Sequence, residues 1–290
     1  MAHALIGQRP GGQLVAVQKV ASQGPAATRD RVAGADEVTG AIVPPPRRLW
    51  QDTPLVAVQA ATARSYGRSV LCALGITPDG RKRVLGYRWD ATSMQVSAGA
   101  FVEDLFTRGV RAPAGSRLLF VTDGEPALDQ AIAHRYPGAY HALCHRAFAE
   151  RVLAYLAKSA VEGEVREALR RALRRGPEEM RQDLDRLAQS LVVSHPGAAG
   201  AMREGLKGVM AVPSLCVDPV LSTSLCSVAT LRTAVAEAVR AGRGHGVDGI
   251  GKEDPLWAGS EAFERRTRRI LGYEALRHLE HTLSRPERVA

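Results

Sequence analysis

Three short apolar runs, an amphipathic segment and a fourth apolar run follow one another in this chain, and their order constrains the fold more than any other feature. Leu55-Val56-Ala57-Val58, residues 70–76 and residues 83–89 are each of strand length. Pro78-Asp79-Gly80 lies between the second and third. It is a turn signal, because proline presets φ and glycine accepts a left-handed backbone. Runs joined this way predict an antiparallel meander. Val96, Ala100, Phe101, Leu105 and Phe106 then recur at helical spacing, with Ser93 as N-cap and Gly109 as stop. Leu118-Leu119-Phe120-Val121 reads as a buried strand that ends in Thr122-Asp123-Gly124. Pro126 opens a helix reaching about Arg135. Three strands, helix, strand, helix is the order of an α/β core with a mixed sheet.

Beyond Cys144 the pattern is mostly helical. Val161, Val165, Leu169, Ala172 and Leu173 make one apolar stripe, and Met180, Leu184, Leu187 and Leu191 a second. Both read as ordinary packing faces. Gly242 to Gly251 reads as a loop, and Ala262 to Leu283 as one or two short helices broken near Gly272. Residues 1–46, rich in Gly, Ala, Pro and Gln and closed by Pro44-Pro45-Pro46, read as a poorly ordered leader.

The formal net charge is +9, which favours a polyanionic partner, nucleic acid first. The surplus is local. Residues 61–120 carry nine Lys and Arg against four Asp and Glu, whereas residues 161–190 carry seven of each. Cys72, Cys144, Cys216 and Cys226 form no C-x-x-C pair, so reduced thiols are expected. No apolar run of spanning length and no secretory pattern appear, which leaves the cytoplasm as the expected location.

Asp123 is the sharpest single residue. Strand ends in α/β sheets present side chains to the ligand crevice, where a carboxylate can hold a divalent cation. The same residue could instead cap the following helix.

The flanking motifs come in a particular order. Asp79-Gly80-Arg81-Lys82-Arg83-Val84-Leu85-Gly86 is followed by Asp104-Leu105-x-x-Arg108-Gly109. Next come Thr122-Asp123-Gly124, then Tyr136-Pro137-Gly138-Ala139 and Cys144-His145. The series resembles the catalytic core of mutator-type insertion-sequence transposases over about residues 50–155. A weaker likeness returns at Trp257, Glu261, Phe263-Glu264-Arg265-Arg266 and Gly272-Tyr273-x-x-Leu276. The resemblance implies a ribonuclease H-like fold with a helical insertion. Its expected divisions are the leader at 1–46, the first part of the core at 47–142, the insertion at 143–215 and a helical C-terminal part of the core at 216–290. It also implies cleavage and transfer of double-stranded DNA at the terminal repeats of an element and at its target. Three carboxylates would hold two Mg²⁺ or Mn²⁺ ions for that chemistry. Self-association into a homo-oligomer belongs to the same expectation.

The sequence departs from this pattern at two of the three acids. Asp123 stands at the second position. The first aligns with Gln59, whose amide cannot replace a bridging carboxylate, and Asp52 lies upstream of the strand. The third falls near Thr233, with Glu237 as the nearest acid and therefore the expected catalytic partner of Asp123. The resemblance accordingly implies a degenerate or truncated copy. Three readings stay open: an active transposase, a copy that binds DNA without cutting it, and an unrelated basic α/β protein that binds nucleic acid.

Two further groups are singled out. His141, Cys144 and His145 would share one face of a helix. This spacing suggests a metal site, though three ligands are few for structural zinc and a half-buried histidine packed near a thiol is the readier explanation. Arg81, Lys82 and Arg83 are expected phosphate contacts on a hairpin, unless they are merely a solvated turn. Arg265, Arg266, Arg268 and Arg269 form a second basic cluster, which could meet DNA or pair with Glu261 and Glu264.

Overall fold

The computed structural model describes residues 50–284, apart from 51, 66–67, 90–92, 216–217 and 243–254. The expected leader, most of the glycine-rich loop and Cys216 lie outside the described residues.

The meander forms as expected, although its first strand begins inside the run at 55–58 and continues seven residues beyond it. β1 (Ala57–Ser65), β2 (Arg68–Ile76) and β3 (Lys82–Trp89) pair antiparallel in sequence order. Gly80 turns the chain between the last two at φ +80, a conformation that favours glycine. β4 (Leu119–Thr122) then lies parallel to β1, with Ala57 opposite Leu119 and Ala60 opposite Thr122. A fifth strand, β5 (Tyr140–Leu143), lies parallel to β4. Four residues are too few for an alternation to be read, so periodicity gave no sign of it. The sheet order is β3-β2-β1-β4-β5, a mixed α/β sheet consistent with a ribonuclease H-like fold.

Both faces of the sheet are covered, which is why β4 and residues 70–76 of β2 are almost continuously apolar. On one face, Val58, Ala60, Leu71, Ala73 and Phe120 pack with Phe101 and Leu105 of α1 (Met94–Thr107) and Leu128 of α2 (Pro126–Arg135). Ser93 caps α1 as expected, its side chain accepting from Val96 N–H. After β5 come α3 (His145–Ala154), α4 (Glu162–Ala172), α5 (Pro177–Leu191) and α6 (Pro196–Leu215). They share a core of their own, built on Phe148, Val152, Leu169, Leu184 and Met202. The two apolar stripes read in the sequence supply much of it. The chain then returns as α7 (Pro219–Leu225), α8 (Ala229–Gly242), α9 (Pro255–Arg266) and α10 (Leu276–Leu283). Leu225, Leu231, Val235, Phe263 and Leu279 of these helices cover the second sheet face over Ala57, Ala61, Cys72 and Val121.

Two motif glycines have packing reasons. A Cβ on Gly86 would lie 2.8 Å from Nη2 of Arg108, which is 8% exposed and paired with Asp104. The Leu85-Gly86 and Arg108-Gly109 motifs therefore meet, and the first leaves room for the second. Gly272 takes φ +76, and a Cβ there would lie 2.6 Å from Leu221 N. The expected break in the C-terminal segment falls at this close approach.

Candidate functional site

β4 ends at Thr122, and Asp123 is the first residue past the sheet. The chain turns at Gly124, φ +75, beside Arg151 of α3, whose guanidinium donates to Gly124 O at 2.9 Å. Asp123 does not cap the next helix. Glu125 does, its carboxylate accepting from Ala127 N–H. Asp123 Oδ2 instead accepts from Thr62 N–H of β1 at 2.8 Å, so the side chain extends the β1–β4 pairing by one bond. Its Oδ1 is buried and makes no hydrogen bond of good geometry among the described residues. Burial raises the carboxyl pKa, against the lowering pull first of the Thr62 and Glu125 N–H groups and then of Arg232.

Gln59 lies on the same face of the sheet as Asp123, because side chains alternate along β1 and β4 in matched register. It is 1% exposed. Its Nε2 donates to Leu225 O and to Ser227 O, both at 2.9 Å, in the link between α7 and α8. The carbonyl between them, Cys226 O, accepts from His145 N–H at 3.0 Å. Three consecutive carbonyls of this link are thus held from β1 and α3. Gln59 Oε1 is buried without a partner among the described residues.

α8 brings a cation to the crevice, a residue the sequence reading passed over. Leu231, Ala234 and Val235 form its buried face. Arg232 lies on one flank of that face, where its charge acts on Asp123 and on Cys72. Glu237 is five residues further, about 140° around the axis, and so on the other flank. There it pairs with Arg266 at 2.7 Å and lines a cleft of about 410 Å³ with Thr230, Thr233 and Phe263. Thr233 Oγ1 donates back to Ala229 O. Asp52 is exposed and precedes β1, at the end of the sheet opposite Asp123. Position on the helix and on the strand could not be read from spacing, because it depends on how α8 rolls against the sheet.

Beneath Asp123 lies Cys72, fully buried, its thiol donating to Ala61 O at 3.4 Å. Burial pushes this thiol well up, and the Asp123 charge adds to the effect. Cys72 and Cys144 are buried free thiols, and Cys226 is buried as well.

The Cys-His group is arranged differently from the expectation. His141 is on β5, Cys144 is the N-cap residue of α3, and only His145 is helical. The three do not share a helix face, because a strand ends between the first and the last. His141 stacks on Phe120, with ring centroids 6.3 Å apart. His145 keeps some exposure as a residue, yet its Nε2 is sealed and has no partner among the described residues. Burial lowers its pKa to about 4, against a hydrogen bond to the Val209 backbone.

A two-metal centre, with ions roughly 3.5–4 Å apart, needs about three carboxylates. Around Asp123 stand an amide, a guanidinium and a thiol. Among the described residues no group of three His, Cys, Asp or Glu side chains could hold a metal ion. The residues present do not fit a two-metal centre.

The basic hairpin is already engaged with its own fold. Arg81 pairs with Asp79 at 2.9 Å, both exposed. Lys82 Nζ donates to Thr230 Oγ1 at 3.4 Å, and burial lowers its pKa. Arg83 pairs with Glu264 at 3.2 Å, and Glu264 is only 5% exposed. The other Glu264 oxygen accepts from Val84 N–H at 2.8 Å, covering a donor of the edge strand β3.

The sequence model described as "Transposase, Mutator family" matches residues 48–231, well over half of the chain. The match runs from before β1 into the first turn of α8. A relative described as the transposase for insertion sequence element IS905, from Lactococcus lactis subsp. lactis, is 38% identical over 72 residues. That alignment covers 25% of this chain and 17% of the relative. No helix among the described residues is long and apolar enough to cross a membrane.

Proposed function

We propose that this chain, which belongs to the Mutator family of transposases, engages double-stranded DNA without cutting it. One observation carries the reading: Gln59, at the position aligned with the family's first acid, turns its amide N–H groups onto the carbonyls of Leu225 and Ser227. A carboxylate could not make those bonds, so the residue serves as a brace rather than a ligand. Arg232 supports the same reading, because its positive charge acts on the one carboxylate that remains. Glu237, held by Arg266 on the far flank of α8, then serves as an ion-pair partner rather than as a third acid. The net charge of +9 is kept without the acids that would use bound DNA as a substrate.

The test pairs binding with cleavage on the full chain. Fluorescence anisotropy on a duplex and Mn²⁺-dependent nicking of plasmid DNA are measured for the natural protein and Asp123→Asn. Binding by both with nicking by neither is expected. Nicking that disappears in Asp123→Asn would overturn the proposal, as would calorimetry showing two tight Mg²⁺ or Mn²⁺ sites.

A further inference from the structure

The two basic clusters, some 180 residues apart in sequence, line one cleft. The β2–β3 turn and the segment after α9 are joined by Ile270 N–H donating to Gly80 O at 2.8 Å, and Tyr273 packs against Gly80. Between them opens a cleft of about 440 Å³ lined by Arg81 and Lys82 from the hairpin and by Arg265 and Arg269 from the C-terminal side.

These cations divide into two kinds. Arg83 is tied to buried Glu264, and Lys82 is drawn in toward Thr230. Both hold the hairpin on α8 and α9. Arg81, Arg265 and Arg269 are exposed. Among the described residues, Arg81 and Arg265 pair with exposed acids, Asp79 at 2.9 Å and Glu261 at 3.7 Å. Arg269 lies over the Tyr273 ring, 4.9 Å from its centroid. Exposed pairs of this sort are weak and readily exchanged for a phosphate. The guanidinium fork matches phosphate oxygens in two-point contacts.

The geometry points to this cleft as the surface that holds the DNA backbone, with Arg81, Arg265 and Arg269 on phosphates and Lys82 and Arg83 as its framework. The assignment rests on the DNA-binding reading above. It places the contact on the edge-strand side of the sheet, on the flank of α8 away from Arg232 and Asp123. The contacts are to the backbone, so little sequence preference comes from them.

The experiment uses the full chain and a fluorescent 30-base-pair duplex, titrated at several salt concentrations. Arg81→Ala/Arg265→Ala/Arg269→Ala is compared with Arg170→Ala/Arg171→Ala/Arg174→Ala in the helical insertion, which removes the same charge elsewhere. Thermal melting of both variants should match the natural protein, because the cleft arginines are exposed. The cleft variant should bind about tenfold more weakly or worse, with a salt slope shallower by roughly 2–3, about 0.9 per phosphate contact. The insertion variant should stay within about twofold. Equal weakening by both variants overturns the cleft, since net charge alone would then explain binding. An unchanged cleft variant overturns it too. Competition by single-stranded DNA or RNA as strong as by duplex overturns the choice of partner. A natural protein that binds no duplex at all would instead sink the DNA-binding reading itself.

Discussion

The crevice around Asp123 and the cleft between the hairpin and α9 lie on opposite flanks of α8, and charge is treated differently in each. In the crevice the charge is half-buried and internally answered. Thr62 N–H and Arg232 face Asp123, and Gln59 is spent on the α7–α8 link. In the cleft the buried acid, Glu264, fixes the framework while three arginines stay at the surface. The difference has a physical basis. Cleavage needs several carboxylates converging in a low-dielectric site, and the loss of one removes the reason to keep the others. Backbone binding needs only exposed cations on a firm platform, and each acts nearly on its own.

The sharpest way to break this comparison is Gln59→Asp. If the crevice were still a metal site with one ligand changed, the substitution would be tolerated and Mn²⁺ would stabilise the variant. We expect the reverse. The shorter carboxylate leaves Leu225 O and Ser227 O without donors and buries a second charge, at about 3–5 kcal/mol. Urea denaturation at pH 7, with and without Mn²⁺, reads the outcome.

Acid should loosen the same wall next. The His145 ring protonates near pH 6.5 in the unfolded chain but only near 4 when folded. As pH falls, the unfolded state takes up the proton first. This contribution to stability is therefore complete above pH 6.5 and is lost between about 6.5 and 4, to a limit of about 3 kcal/mol. Denaturation midpoints across that window for the natural chain and His145→Gln check it, since the variant should lack that part of the slope.

On the cleft side, Glu264→Ala should cost about 2 kcal/mol. It strips the Val84 N–H of its acceptor and leaves Arg83 without its buried partner. Exposed Arg265→Ala should change stability by less than about 0.5 kcal/mol. Similar losses from the two would erase the division between framework and surface cations.

A small effect of the opposite sign is expected for Asp123→Asn. Burial raises the Asp123 pKa, so the folded chain resists its ionisation and the charge costs stability once pH exceeds the usual carboxylate range. The amide oxygen can still accept from Thr62 N–H. Stability at pH 7 should therefore rise slightly, by less than about 1 kcal/mol, while a metal-bound Asp123 would predict a loss whenever Mn²⁺ is present.

The meander, the helix with its Ser93 cap, the strand ending at Asp123 and the helical stretch that follows are all legible in the order of residues. These features repeat over several residues, and each repeat adds to the signal. The sequence also carries the family, through glycines and arginines whose spacing reflects close approaches such as Gly86 against Arg108. It did not reveal β5, because Tyr140–Leu143 is too short to alternate visibly. Nor did it place His141 correctly, since that error followed from the missing strand. Packing of α8 on the sheet sets which of its flanks is turned toward Asp123, and so puts Arg232 on that side and Glu237 on the other. Only the tertiary structure joined Arg81 to Arg265 and Arg269 across some 180 residues. The physical reason is the same in both cases. Periodicity fixes which side of an element is apolar, whereas the roll of a helix on a sheet and the meeting of distant loops are set by packing between elements that no local pattern encodes.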